Sequence, residues 1–282
     1  METRKNNYND ILGSIPSEEF IDERQQICKL QSDRPHAFVS SKVWGSLLWM
    51  VLHTGTLTYP KVPNYKEKDD RLKFLQSFHS MIPCIICKKH ASLYITNNAH
   101  LIEKSVQSSY ELFTFFWIFH NAVNARILTK INVSFSDAID LWKNDNENIV
   151  NDILSSYEGS KLSIRENSKK VNRWKAVWFI LHYSALNYPV KPTDEDKLTM
   201  KKFISVMYLL FEPFDDIINI SHLNAFIKSN TQNDQIVSSS YFLFSFYWKL
   251  HNFVNTNLSK NEMSFDDAIN FWMRGDPRKN LL

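Results

Sequence analysis

The sequence predicts an all-α protein built from two tandem bundles of four to five helices each, and three observations lead there. A block of about a hundred residues occurs twice in the same internal order. Apolar residues within each block recur at three- and four-residue steps, the period of a helix with one buried face. No convincing alternation of polar and apolar residues marks a strand, and only 5 glycines are present, which argues against turn-dense sheet folds and glycine-rich phosphate loops.

The repeat can be followed residue by residue. Trp49-Met50-Val51-Leu52-His53 returns as Trp178-Phe179-Ile180-Leu181-His182, with Tyr59-Pro60 and Tyr188-Pro189 at the same distance behind. Trp117-Ile118-Phe119-His120-Asn121-Ala122-Val123-Asn124 returns as Trp248-Lys249-Leu250-His251-Asn252-Phe253-Val254-Asn255. Ser134-Phe135, Asp137-Ala138-Ile139 and Trp142 return as Ser264-Phe265, Asp267-Ala268-Ile269 and Trp272. These blocks stay in order at a nearly constant offset, which chance does not produce.

Residues 1–39 form a polar extension of mixed charge, without the apolar core of a secretory signal. The first copy spans 40–145. Val43, Leu47, Leu48, Val51 and Leu52 line one helical face, and Pro60 and Pro63 stop the chain from continuing that helix. Pro83 precedes Cys84-Ile85-Ile86-Cys87, a pair set at a helix start. Leu112, Phe113, Phe116, Phe119 and Val123 line a second long helix. Ser134 has the position of an N-cap, with Asp in the first turn behind it, and Ser264 repeats the pattern. A polar stretch at 146–170 reads as a linker, and 171–282 holds the second copy.

Composition limits the function. The chain has 282 residues, 44% hydrophobic, enough for a substantial core, and no stretch has the roughly 20 apolar residues of a membrane span. A net charge of +3 from scattered Lys and Arg leaves no electrostatic footprint for nucleic acid. Neither nucleic acid nor membrane is therefore expected as a partner, and the reading is of a soluble, cytoplasmic protein. Three cysteines are too few for a disulfide-stapled framework. Two of them form the C-x-x-C pair, while Cys28 stands alone. A helix N-terminus stabilises a thiolate, and Lys88, Lys89 and His90 add positive charge in sequence. Spacing alone leaves two chemistries open: dithiol redox, or a metal site in which His90 and His79 join Cys84 and Cys87.

The flanking residues add a resemblance. Trp44-Gly45, Trp49-x-x-x-His53, Tyr59-Pro60, Pro83-Cys84-x-x-Cys87, His120-Asn121-x-Val123-Asn124, Lys130 and Trp142 resemble the Erv/ALR family of FAD-linked sulfhydryl oxidases. The tandem arrangement without shuttle cysteines is more similar to the oxidases of large DNA viruses than to mitochondrial or secretory ones. The resemblance implies a helical bundle that holds FAD with its isoalloxazine against Cys84 and Cys87. It implies that Trp44, Gly45, Trp49, His53, Tyr59, Cys87 and Trp117 belong to the flavin pocket. His120, Asn121 and Asn124 would meet the adenine and ribose, with Lys130 and Trp142 closing over the nucleotide. Those residue types suit a flavin nucleotide, since aromatic faces stack on flat rings, Asn and His pair with polar ring edges, and Lys offsets pyrophosphate charge. No metal is implied. Two departures stand out: Phe115 holds a position usually given to tryptophan, and Lys130 lies six residues after Asn124 instead of five.

The second copy keeps Trp178, His182, Tyr188, His251, Asn252, Asn255, Lys260 and Trp272, but has Phe214 and Ile217 in place of the cysteines. It cannot perform dithiol chemistry. Because bundles of the resembled family pair as dimers, the duplicated chain is expected to form an intramolecular pseudo-dimer with one catalytic half; the alternative is a degenerate copy that still binds FAD, because its pocket residues survive. The expected function is thiol oxidation: protein dithiols, or a small thiol carrier protein, would reduce Cys84–Cys87, and electrons would pass to FAD and then to molecular oxygen, giving hydrogen peroxide. The site of action would be the cytoplasm, or a host cytoplasm or virion if the chain is viral, with a homodimer as a further assembly. The alternative is a non-enzymatic helical scaffold whose cysteines are structural or zinc-bound.

Overall fold

The computed structural model describes residues 41–127, 132–143, 173–214, 218–231 and 234–274. Cys28, Lys130, Ile217 and the linker at 146–170 lie outside the described residues. Among those described the architecture is helical throughout.

The first copy contains α1 (Ser41–Leu57), α2 (Tyr65–Ser77), α3 (Ile85–Asn97), α4 (Ala99–Ser105), α5 (Ser109–Arg126) and α6 (Phe135–Lys143). The second contains α7 (Arg173–Leu186), α8 (Asp194–Val206), α9 (Ile220–Asn230), α10 (Ser240–Asn257) and α11 (Phe265–Arg274). The repeat is written into the caps. Asn64 and Glu67 form a reciprocal capping box ahead of α2, and Thr193 and Asp196 form its counterpart ahead of α8. Ser108 and Ser239 accept backbone N–H groups at the starts of α5 and α10. Ser134 and Ser264 accept from Asp137 and Asp267, as their N-cap positions predict. The first copy has one helix more than the expected four to five. Asn98 leaves helical geometry (φ −119°, ψ 35°) and its side-chain amide donates to the Tyr94 carbonyl, which ends α3 and starts α4 one residue later.

In the first copy α1 packs on α5 and α6; in the second α7 packs on α10 and α11. Between copies α1 lies against α7 and α2 against α8, so the two bundles form the expected pseudo-dimer. The buried apolar side chains form one continuous cluster that runs through both copies instead of two separate cores. Phe74 meets Phe203 across the seam with ring centroids 6.2 Å apart. The reason for the shared core lies in α7, where every residue from Ala176 to Leu186 is buried. A helix that is apolar all round has no solvent side and must sit between other elements.

Polar groups fix the register of the seam. Arg71, only 3% exposed, donates to Glu212 of the second copy at 2.8 Å, and its guanidinium lies 4.9 Å from the centre of the Tyr59 ring. Tyr208 donates its hydroxyl to Asp70 at 2.6 Å. On the other side Lys88 lies 5.8 Å from the centre of the Tyr188 ring.

Candidate redox and cofactor site

Cys84 and Cys87 are both half-buried free thiols. Extended backbone at Cys84 (φ −99°, ψ 119°) makes it the N-cap of α3, and its Sγ accepts the backbone N–H of Cys87 at 3.3 Å. The sulfur thus takes the place of the hydroxyl or carboxylate oxygen that usually caps a helix. The two thiols titrate as a pair. A hydrogen bond from the Cys87 side chain, assisted by the Cys87 and Ile86 backbone N–H groups and the Arg126 charge, lowers the Cys84 pKa against the opposing effect of burial. The same side-chain hydrogen bond, together with burial, raises Cys87. The pair therefore titrates as a unit, with Cys84 the thiol that ionises more readily and Cys87 the one that keeps its proton longer.

The charge beside Cys84 is not the one that adjacency in sequence suggested. Lys88 reaches across to the second copy. Burial first, then Arg126 and Lys89, lowers His90 to about 4, so it is neutral near pH 7. The contributing cation is Arg126, in the last turn of α5. Its separation of 39 residues from Cys87 hides this electrostatic influence from a reading of neighbours, although a basic residue in a last helical turn is a recognisable signal. Among the described residues no group of three or more His, Cys, Asp or Glu side chains converges as a metal site.

Four of the expected cofactor residues form a ladder of rings. Trp49 and His120 are stacked at 3.9 Å and 10°. His53 Nε2 and His120 Nδ1 share a hydrogen bond of 3.2 Å, and His53 stacks on Trp142 at 4.8 Å and 10°. Burial, with His120 adding to it, holds the His53 pKa well below 6.5, so the imidazole is neutral. At 3.9 Å the Trp49–His120 pair leaves no room for a third ring between them, so a flat ligand must stack outside the pair.

Helix spacing explains the ladder. Trp49 and His53 are four residues apart and share one face of α1, while His120 projects from α5, which packs on that helix. Trp142 arrives on α6, and Asn121 controls where α6 begins. Its amide donates to the Val133 carbonyl at 2.9 Å and accepts the Val133 N–H at 3.0 Å. Trp117 Nε1 donates to the same carbonyl at 2.8 Å. Trp117 and Asn121 thus hold the segment that leads into α6. Asn124 is buried one turn beyond His120. Tyr59 stands apart from the ladder: its hydroxyl donates to the Val106 carbonyl at 2.8 Å and its ring lies beneath Arg71 at the seam. Trp44 is buried in the core.

Two features suit a flat-ringed ligand with polar edges, as FAD is. His53 Nδ1 is buried with no hydrogen-bond partner among the described residues. Gly45, one turn before Trp49 on the same face, would meet nothing within 4 Å among the described residues if it carried a Cβ.

The chain is similar to proteins named for this chemistry. It is 32% identical over 100 residues to a FAD-linked sulfhydryl oxidase of African swine fever virus, a match covering 36% of this chain and 80% of the relative. A second isolate of that virus has a FAD-linked sulfhydryl oxidase that is 31% identical over the same length, with the same coverage of each chain. The mitochondrial FAD-linked sulfhydryl oxidase of Saccharomyces cerevisiae is 32% identical over 83 residues, covering 29% of this chain and 42% of that protein. No solved structure matches the chain significantly. The sequence model of the Erv1 / Alr family matches twice, over residues 46–143 and again over 175–274. With both copies matched, the chain belongs to the Erv1 / Alr family.

Proposed function

We propose that this protein is a FAD-dependent thiol oxidase that makes disulfide bonds in substrate proteins, with net chemistry of one dithiol and one oxygen molecule giving one disulfide and hydrogen peroxide. In a member of this family, the observation that carries the reading is the Cys84–Cys87 pair: two free thiols at the N-terminus of α3, with Cys84 Sγ capping the helix by accepting the Cys87 N–H.

The first copy, residues 40–145, is the catalytic unit. A substrate thiolate attacks Cys84 Sγ in the Cys84–Cys87 disulfide, forming a substrate–Cys84 bond and releasing Cys87 as thiolate. The second substrate thiol attacks that mixed disulfide, leaving with a new substrate disulfide and returning Cys84 as the thiolate that α3 stabilises. The proton it delivers is kept on Cys87. While Cys84 is bonded to substrate it is not a thiolate, so the hydrogen bond that raises Cys87 is absent and Cys87 is the freer nucleophile. FAD, when bound, accepts the two electrons of the reduced pair and delivers them to oxygen.

Trp49, His53, His120 and Trp142 would hold the flat rings of the cofactor, with His53 Nδ1 pairing with a polar edge. Gly45 gives room beside them, and Asn124 and Lys130 serve the nucleotide side. Trp117 and Asn121 act by placing α6. The second copy, 171–282, is a degenerate domain that completes the shared core. No helix among the described residues is long and apolar enough to cross a membrane. The proposed setting is the cytoplasm, or a host cytoplasm or virion, with protein dithiols or a small thiol carrier protein as substrate and a homodimer as further assembly.

Purified protein should be yellow with noncovalent FAD, and should consume oxygen and release peroxide when given dithiothreitol. A colourless protein that stays inactive after incubation with FAD, particularly one containing zinc, would overturn the reading.

A further inference from the structure

The second copy retains almost the whole ring ladder. Trp178 stacks on His251 at 4.0 Å and 3°, and His182 stacks on Trp272 at 4.6 Å and 19°. His182 Nε2 and His251 Nδ1 share a bond of 3.1 Å, and Asn252 clamps Met263 as Asn121 clamps Val133. His182 Nδ1 is buried without a partner among the described residues, just as His53 Nδ1 is. These residues alone would fit the second copy to the same ligand as the first.

The copies differ at one wall. The 129-residue offset that carries Trp49 to Trp178 and His53 to His182 carries Gly45 to Trp174. The Trp174 indole stands edge-on to Phe214 at 5.0 Å, to Trp178 at 5.7 Å and to Phe211 at 5.8 Å. Phe211 also leans on Trp178 at 5.2 Å. Phe211 is the counterpart of Ile82: its N–H bonds the Tyr208 carbonyl as that of Ile82 bonds His79. Residues 211–214 therefore lie where the first copy places the turn leading into Cys84. At the position on α1 that the repeat sets opposite that turn the first copy has Gly45, where an added Cβ would meet nothing within 4 Å among the described residues. Between α7 and its counterpart the second copy has three aromatic rings. Exposure follows: Trp49 is half-buried, whereas Trp178 is 2% exposed.

We propose that Trp174, backed by Phe211 and Phe214, is an internal plug that bars the isoalloxazine from the second copy, and that Gly45 is the residue that admits it to the first. The inference rests on the thiol-oxidase reading, because a group that takes electrons from Cys87 must lie against the redox turn, and Trp174 lies against the counterpart of that turn in the second copy. The second copy is thus a filled cofactor site, in which a half-buried side chain of the chain itself packs against the core in place of the ring of the ligand.

Reciprocal substitutions test this, read as bound FAD per chain, as the fraction of flavin absorbance bleached by anaerobic dithiothreitol, and as the unfolding temperature with and without added FAD. Wild type should hold about one FAD, fully bleached. Trp174→Gly should raise the content towards about two, with only about half bleached, since the second copy has no cysteine pair to pass electrons. Trp174→Phe should stay at the wild-type value. Gly45→Trp should lose its flavin while keeping wild-type helix content and cooperative unfolding, and Gly45→Ala should retain it. A wild-type content near two, or a folded Gly45→Trp protein that keeps its flavin, would overturn the plug. If Trp174→Gly does not fold, the wild-type stoichiometry and the Gly45 pair still decide. Wild-type protein that takes up no FAD at all would instead overturn the underlying thiol-oxidase reading.

Discussion

Cys84 and Cys87 are one helical turn apart, yet their environments push their titrations in opposite directions. The N-cap sulfur gathers hydrogen bonds that favour its thiolate, whereas its neighbour Cys84 and then burial keep Cys87 protonated. Because the pair works as a unit, Cys87→Ser should abolish reduction of the flavin by dithiothreitol, and Cys84→Ser should reduce turnover by several orders of magnitude. Cys28→Ser should leave turnover within about twofold, since that cysteine has no C-x-x-C partner in the chain. Stopped-flow bleaching of the flavin separates the two events. A large loss for Cys28→Ser would make it a shuttle and require a revised electron path.

Among the helices, the ring ladder depends on where α6 starts. Ser134 caps that helix and Asn121 fixes the residue before it. The two substitutions should behave differently. Ser134→Ala removes one exposed cap and should cost about 1 kcal/mol of stability with little change in flavin content. Asn121→Ala leaves the Val133 N–H without its side-chain acceptor and the carbonyl with Trp117 alone, and should cost about 1–3 kcal/mol. It should also weaken FAD retention several-fold, because Trp142 would no longer be held on His53. Thermal melts and flavin content of the two purified variants give the comparison; equal flavin loss in both would mean that the cap, and not the clamp, positions α6.

Across the molecule, the two copies share a core and a buried ion pair. Glu212→Ala would leave the Arg71 guanidinium buried without its carboxylate. The cost should be about 2–3 kcal/mol in chemical denaturation, below the range for fully buried pairs because Glu212 keeps 31% side-chain exposure. A negligible change would show that water or another carboxylate replaces it. Acid should weaken the whole fold. His53 and His182 are held well below 6.5, and His79 and His251 are lowered to about 4, in each case chiefly by burial. For a base with a depressed folded pKa, the unfolded chain binds protons first as pH falls. Stability is therefore fully present above about pH 6.5 and is lost as pH drops from there towards about 4. The unfolding temperature should be flat between about pH 7 and 8 and fall steadily below about 6.5; a flat profile down to about pH 4.5 would contradict this burial.

The helical class, the duplication, the C-x-x-C pair, the Ser134 and Ser264 caps and the membership of the Erv1 / Alr family were all legible along the chain. These are local patterns or ordered motifs, and linear spacing expresses them directly. Which of those residues meet was a matter for three-dimensional packing. Trp49, His53, His120 and Trp142 form one ladder, Asn121 and Trp117 support it, and Tyr59 faces the seam. Packing also assigned Arg126 as the charge at Cys84, paired Arg71 with the other copy, and merged the two cores into one. Those contacts join residues far apart in the chain, and their partners are fixed by how helices cross and which side chains fill the space between them. Gly45 and Trp174 illustrate the division: the repeat aligns them, but only packing reveals that one leaves open what the other fills.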